Sequence, residues 1–410
     1  MNLKKIYKFK NTCRLCYKKN LIPVIDLKKT PLANSFSSKI KKKEITVPLK
    51  AYFCKNCFHL QLLHIVNPNL LFNNYLYVTG TSAVTVKHFK KYSKDLKKFF
   101  FSFSGKKKIL DIASNDGTFL KNFAERDIEC YGIDPAKNLN LKISDKKIKT
   151  ITGFFNYKFS KKIKKKIGKL DVITANNVFA HVDNLKDFTI GVKNLLKENG
   201  VFIFEVSYLL DVLKKNAFDT IYHEHLSFHS YYSLINFFKK ENLRIFNVKR
   251  IKVQGGSIRF YVCNINAKYK NSKYLKKILN LELNKFKISK IATYNKFQKN
   301  IDNIKIKVNH KINRLKKLGK IIGGYGAAAK TTTLLNYFDI DYKKLDFIVD
   351  DNPLKQNLYT PGTGIKIVRS NYIYKNKIDY IFVLSWNYYN SIKLLHRKFI
   401  SQGGKILKIY

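Results

Sequence analysis

No stretch of this sequence is apolar for long enough to cross a bilayer. The longest apolar run, Val201 to Leu213, is broken by Glu205 and Asp211, whereas a span needs about 20 such residues. The opening residues, MNLKKIYKFKNTC, lack the apolar core of a secretory signal. Acidic side chains are scarce: 27 Asp and Glu stand against 80 Lys and Arg, for a formal net charge of +53. Cysteine is scarce as well. Four of the six, Cys13, Cys16, Cys54 and Cys57, fall in two C-x-x-C pairs, while Cys130 and Cys263 stand alone. That usage suits metal binding in a reducing compartment better than a disulfide framework. A soluble cytoplasmic chain is expected.

What is present points to a globular protein. Hydrophobic residues make up 45% and aromatics 14% of 410 residues, enough for two to four packed domains. The lysines are spread through nearly every segment, with no basic tail. Such a charge decorates a whole surface, and its field would favour an anionic substrate such as a nucleotide diphosphate.

An α/β organisation follows from the order of apolar runs. KKILDIA (107–113), IECYGIDP (128–135), KLDVITANNV (169–178) and GVFIFEVSYL (200–209) read as strands separated by helical stretches, as in a parallel sheet. LRIFNVKRI and SIRFYVC resemble an antiparallel hairpin ending that sheet. Residues 82–101 and 267–320 read as helical. KIIGGYGAAAK, LDFIVDDNP and KIDYIFVLSW then begin a second, shorter Rossmann-like unit. The expected division is a small cysteine-bearing domain over 1–70, an α/β domain over 71–265, a helical linker over 266–318 and a Rossmann-like domain over 319–410.

The four paired cysteines can close a tetrahedral zinc site. The 37 residues between the pairs exceed a compact ribbon spacing. With no open position the metal would be structural.

Asp111-Ile-Ala-Ser114-Asn115-Asp116-Gly117 follows a strand and is expected to open a helix. The usual glycine-rich turn is thinned to Ala113, Ser114 and Gly117. Asp134 ends the next strand about 20 residues on, where a carboxylate can accept from ribose hydroxyls. Asn176 and Asn177, at a later strand end, border the same predicted crevice.

At this point the residues are family-specific. SNDGTFL, GIDP, ANNVFAHV, FEVSYL, DTIYHEHLSFHS and GGSIRFYV, in that order, closely resemble the sugar C-methyltransferases of antibiotic and surface-sugar biosynthesis. PLANSF, YLYVTGTS, GYGAAAK and DDNPLKQNLYTPGT extend the resemblance nearly end to end. It implies a zinc domain, a class I methyltransferase domain binding S-adenosylmethionine, a C-terminal Rossmann-like domain and a nucleotide-linked keto sugar as substrate. Asn357 departs from the pattern, where many relatives carry Gly, and leaves a turn geometry open.

Tyr222-His223-Glu224-His225 does not fit the H-E-x-x-H zinc motif, because Ser227 stands at the fifth position from His223. Methylation next to a ketone needs a base for the α-proton and donors for the enolate oxygen. Histidine suits the base. His225 is the expected base, with Glu224 orienting it or sharing proton transfer. Tyr222 and His181 are expected to bind or polarise the keto group, and Tyr75 and Tyr77 to line the sugar pocket. The resemblance supports His225, Glu224, Tyr222 and His181 in this region; the division of roles rests on chemistry.

Gly324-x-Gly326-x-x-Ala329 has the form of a dinucleotide turn, with Asp350 ending the next strand. No reactive set for a dehydrogenase accompanies it. The resemblance implies a non-redox domain that closes over the sugar nucleotide. Lys330 and a helix N-terminus there are expected to hold phosphate. Two other readings remain. One is an RNA-binding methyltransferase, suggested by zinc and charge, although Asn176-Asn177-Val-Phe is not the N-P-P-aromatic motif of amino methylation. The other is a non-catalytic sugar-nucleotide binder.

Overall fold

Residues 6–41, 43–72, 77–100, 105–125, 127–140, 143 and 145–410 are described by the structure, a computed structural model. Among the described residues four sheets form: a two-stranded antiparallel ribbon of Tyr7–Phe9 with His64–Val66, and three larger sheets. The central one has seven strands in the order Leu243–Ile251, Ser257–Asn264, Leu196–Ser207, Leu170–Asn176, Lys107–Ile112, Ile128–Asp134, Ile148–Thr152. Its inner members are near-continuous apolar runs because both faces are covered; Ile109 to Ile112 and Val172 to Ala175 are all buried. Leu196–Ser207, Leu170–Asn176, Lys107–Ile112, Ile128–Asp134 and Ile148–Thr152 run parallel, whereas Ser257–Asn264 is antiparallel to Leu196–Ser207 and pairs with Leu243–Ile251 as a hairpin. This is the class I methyltransferase arrangement. From Lys107–Ile112 the chain builds outward to one side, then crosses to the other at Leu170–Asn176. The carboxyl ends of those two strands therefore flank the crevice where such sheets bind ligands.

The N-terminal sheet is antiparallel. Leu21–Pro31, Thr46–Cys54 and Leu60–Leu62 pair in turn, and Ser227–Phe228, from far along the chain, adds a fourth strand. The C-terminal sheet is wholly parallel, in the order Ile367–Val368, Phe347–Val349, Ile322–Tyr325, Tyr380–Val383, Lys405–Lys408. The helix Ile291–Lys317 turns Tyr294, Phe297, Ile301, Val308 and Ile312 inward, a stripe at helical spacing. One hydrophobic core runs from Cys13 to Ile409 and joins the three larger sheets. Among the described residues no helix is long and apolar enough to cross a membrane.

Two expectations from sequence need correction. The segment after Asp111 does not open an α-helix: only a single 3-10 turn, Leu120–Phe123, follows. Ala113, Asn115 and Gly117 all have positive φ, at 60°, 53° and 72°, and the Asp116 carboxylate holds the Thr118 N–H and hydroxyl. The chain is spent on turns before a helix can nucleate. Nor does Glu224 orient His225, as shown below. The doubt at Asn357 resolves physically: it adopts φ 65°, a left-handed conformation that asparagine tolerates better than most residues.

Candidate active site

The zinc module is built from two matching turns. Tyr17 N–H donates to the Cys13 carbonyl and Phe58 N–H to the Cys54 carbonyl, each closing a loop around one C-x-x-C. Tyr17 and Phe58 both take positive φ, which turns the chain back. Their four sulfurs lie within 4.8 Å of one another, with Cys13 to Cys57 and Cys16 to Cys54 at 3.5 Å. A tetrahedron of thiolates about 2.3 Å from zinc has edges of about 3.8 Å, so the spacing fits that ion. Hydrogen bonds from the Cys16, Cys54 and Cys57 thiols hold the Cys13 thiol far below its usual range.

A crevice lies at the central switch point. Gly132 makes it possible: a Cβ there would sit 2.6 Å from Ser114 Oγ, so only glycine lets the turn pack against the second strand. The Asp134 carboxylate accepts from the N–H groups of Asn115 and Ala136, at 2.9 and 2.8 Å, and burial raises its pKa. Asp111 accepts from Thr174 Oγ1 at 2.6 Å and Asn176 Nδ2 at 3.2 Å, and burial pushes it up to about 7. Ser114 Oγ and Asn176 Oδ1 are buried with no protein partner. They line a cavity of about 520 Å³ with Asp111, Asn115, Asp134 and Asn177, a size usual for ligand pockets. Orphaned polar atoms in such a wall fit a polar ligand such as S-adenosylmethionine.

Asp116 and Gly117 are not part of that wall. The Asp116 carboxylate accepts from Gly80 N–H at 2.9 Å, while Asn115 accepts from Thr79 N–H at 2.9 Å and donates to the Tyr77 carbonyl at 3.0 Å. These side chains strap residues 77–80 over the loop. Tyr77 reaches the cavity; Tyr75 lies outside the described residues.

The same cavity is lined by His181, Tyr222, Glu224 and His225. The Thr220 carbonyl can only accept, so His225 Nδ1, 2.7 Å away, carries the proton. Its Nε2 lone pair then faces the Tyr222 hydroxyl at 2.9 Å, which donates to it. Burial lowers the His225 pKa to about 4 and raises that of Tyr222, so both are neutral near pH 7. The His181 ring lies 5.0 Å from that of His225, and its Nε2 is buried without a protein partner. Burial, then the neighbouring His225, holds its pKa well below the usual value.

Glu224 leads elsewhere: it accepts from Asn34 Nδ2 at 3.2 Å. Adjacent side chains in a tight turn point apart, so the backbone of Thr220 takes the orienting role. Sequence reasoning missed Thr220 and Asn34, although DTIYHEH and PLANSF contain them. His223 faces away, to the Val47 carbonyl at 3.1 Å.

The C-terminal unit closes the cavity with Ala328, Ala329, Lys330, Asn387 and Tyr388. Lys330 is half-buried, and desolvation lowers its pKa while Asp219 opposes the shift. Its ammonium bonds to Asn387 and lies 4.7 Å over the Trp386 ring. Asp350 is already engaged: it accepts from the N–H groups of Ala327 and Asn352, at 2.7 and 2.9 Å. It therefore shapes the glycine turn.

Family models match along the whole chain: a zinc binding domain over 13–72, a methyltransferase domain over 86–248 and a C-methyltransferase C-terminal domain over 252–409. The chain carries, in order, the three domains of a C-methyltransferase. It is an S-adenosylmethionine-dependent enzyme with a zinc-binding N-terminal region. The C-methyltransferase NovU of Streptomyces niveus is 28% identical over 397 residues, 96% of this methyltransferase and 94% of the relative. Among solved structures, a methyltransferase from Clostridium acetobutylicum is 16% identical, covering 44% of this chain and 92% of that one, with a TM-score of 0.35. Magnesium protoporphyrin IX methyltransferase from Synechocystis is 13% identical, with 45% and 88% covered and a TM-score of 0.34.

Proposed function

We propose that this enzyme, in the cytoplasm, methylates the carbon next to the ketone of a nucleotide-linked keto sugar, through an enolate that His225 generates. The carrying observation is the neutral imidazole of His225, its basic nitrogen fixed by the Thr220 carbonyl, in one cavity with the switch-point loop and Lys330. Asp111, Ser114, Asn115, Asp134, Asn176 and Asn177 would hold S-adenosylmethionine, and Cys13, Cys16, Cys54 and Cys57 the zinc. Bound S-adenosylmethionine supplies an electrophilic methyl group. His225 removes the α-proton onto Nε2; the electron pair of the C–H bond becomes the C=C bond of the enolate as the C=O π pair moves onto the keto oxygen. In the free enzyme the Tyr222 hydroxyl covers that nitrogen. A keto oxygen within reach of the phenol would take its O–H and uncover the base. His181 is the second candidate donor to the oxyanion, an interaction worth about 3 kcal/mol in comparable sites. Lys330, at the start of the helix Ala329–Phe338, would meet the diphosphate.

The direct test is a panel of nucleoside-diphosphate 4-keto sugars with isotopically labelled cofactor. Label is expected at a carbon adjacent to the ketone. Methylation of oxygen, or of RNA alone, overturns the reading.

Cofactor affinity should also depend on pH. With Asp111 near 7 in the free protein, a cationic cofactor beside it would favour the ionised carboxylate. Below pH 7 binding must first release a proton. Calorimetric affinity for S-adenosylmethionine is therefore expected to be flat above about pH 8 and to weaken as pH falls, by at most roughly tenfold per unit. A flat profile down to pH 5.5 removes Asp111 from the contacts.

A further inference from the structure

The two histidines of the proposed site come from separate segments, and neither segment is fixed by the central sheet alone. Both are held by the zinc module. Arg14, next to the zinc-site residue Cys13, has a fully buried side chain. Its Nη1 donates to the Leu226 carbonyl at 3.3 Å, one residue beyond His225, and to the Leu62 carbonyl. Its Nε faces Asp183 Oδ1 at 3.4 Å, two residues beyond His181. Gln61 Oε1 accepts from Arg14 N and Nη1, and Gln61 Nε2 donates to Cys13 Sγ at 3.1 Å. Gln61 is also the strand partner of Ser227, and Leu62 N–H donates to the Leu226 carbonyl at 2.9 Å.

We propose that Arg14 is a positioning residue for the methyl-transfer reaction: it ties the His181 segment to the His225 segment and so sets the distance between the two imidazoles. A buried guanidinium suits this task. Its donors are held in a rigid planar fork, it cannot lose its charge, and a buried cation left without partners is costly. The zinc site, through Cys13 and Gln61, holds the backbone from which Arg14 reaches. The inference rests on the assignment of His225 and His181 to the reaction.

The test uses the full zinc-loaded chain with Arg14→Met, Arg14→Lys, Asp183→Asn and His225→Ala. Turnover of a nucleoside-diphosphate 4-keto-6-deoxyhexose is measured with S-adenosylhomocysteine affinity, zinc content and hydrogen exchange. Arg14→Met is expected to lower kcat tenfold or more, since small misplacements are costly in a reacting pair. S-adenosylhomocysteine affinity stays within twofold and zinc at one per chain. Amide exchange rises in both peptides 178–186 and 220–230. Arg14→Lys keeps the charge facing Asp183 without the fork and is expected to fall between. Wild-type kcat in Arg14→Met, or unchanged exchange in either peptide, overturns the proposal. If Arg14→Met does not fold, Asp183→Asn decides, because it loosens the same tie from a partly exposed side: wild-type kcat there overturns it too. Failure of the underlying reading is distinct, since His225→Ala would then keep its turnover whatever Arg14 does.

Discussion

His225→Ala is expected to lower turnover by about a thousandfold or more while leaving S-adenosylmethionine affinity within about twofold. Positioned acid–base groups contribute roughly 100- to 10,000-fold. Glu224 is held by Asn34, and His223 is turned to the Val47 carbonyl. Tyr222 is pushed away from ionisation by burial. Cofactor affinity should survive, because Ser114, Asp134 and Asn176, proposed to hold the cofactor, line the cavity from other elements. The acid limb of the wild-type profile should follow the lowered His225 pKa. His225 must be neutral to act, so its protonation leaves kcat intact from pH 7 down to about 5 and removes it only towards pH 4. Tyr222→Phe should retain more activity than His225→Ala, because it removes a donor and uncovers Nε2. Isothermal titration beside a methylation assay checks both variants. Unchanged turnover in His225→Ala would remove it as the base.

The second large effect concerns the metal. Elemental analysis should give about one zinc per chain. Chelation, or Cys54→Ser, should lower the melting temperature by on the order of 10 °C and abolish turnover. Zinc supplies binding energy of about 10 kcal/mol or more in small modules, and that energy is folding energy. Here Cys13 and Cys54 are fully buried beside Arg14 and Gln61. Losing the metal leaves sulfurs, a guanidinium and an amide to rearrange together in an apolar surround. A folded, metal-free protein that melts with the untreated enzyme would refute the module.

Much of this was legible because the signals were chemical. The Asp111 and Asp134 strand ends and the four cysteines could be read from spacing, and the structure gathers each set. The α/β class was equally plain, since buried parallel strands announce themselves as apolar runs. Other features carried no signal. Ile148–Thr152 is an edge strand with only Ile148 buried, so it shows neither a run nor an alternation. The role of Thr220 is played by its carbonyl, which every residue possesses. The turn after Asp111 looked like a helix start, because positive φ at Ala113 cannot be inferred from an alanine. Glu224 shows the limit of adjacency: it is next to His225 in sequence and bonded to another part of the molecule.

The fourth strand of the N-terminal sheet has a further consequence for biosynthesis. Ser227–Phe228 lies beyond the midpoint of the 410 residues. The N-terminal sheet therefore waits, with the Leu60–Leu62 edge unpaired, until the 164 residues between Leu62 and Ser227 have been made. An open edge with apolar neighbours is a template for wrong pairing, and vectorial synthesis prolongs its exposure. Early capture of zinc, which needs nothing beyond Cys57, would hold that edge in order until its partner arrives.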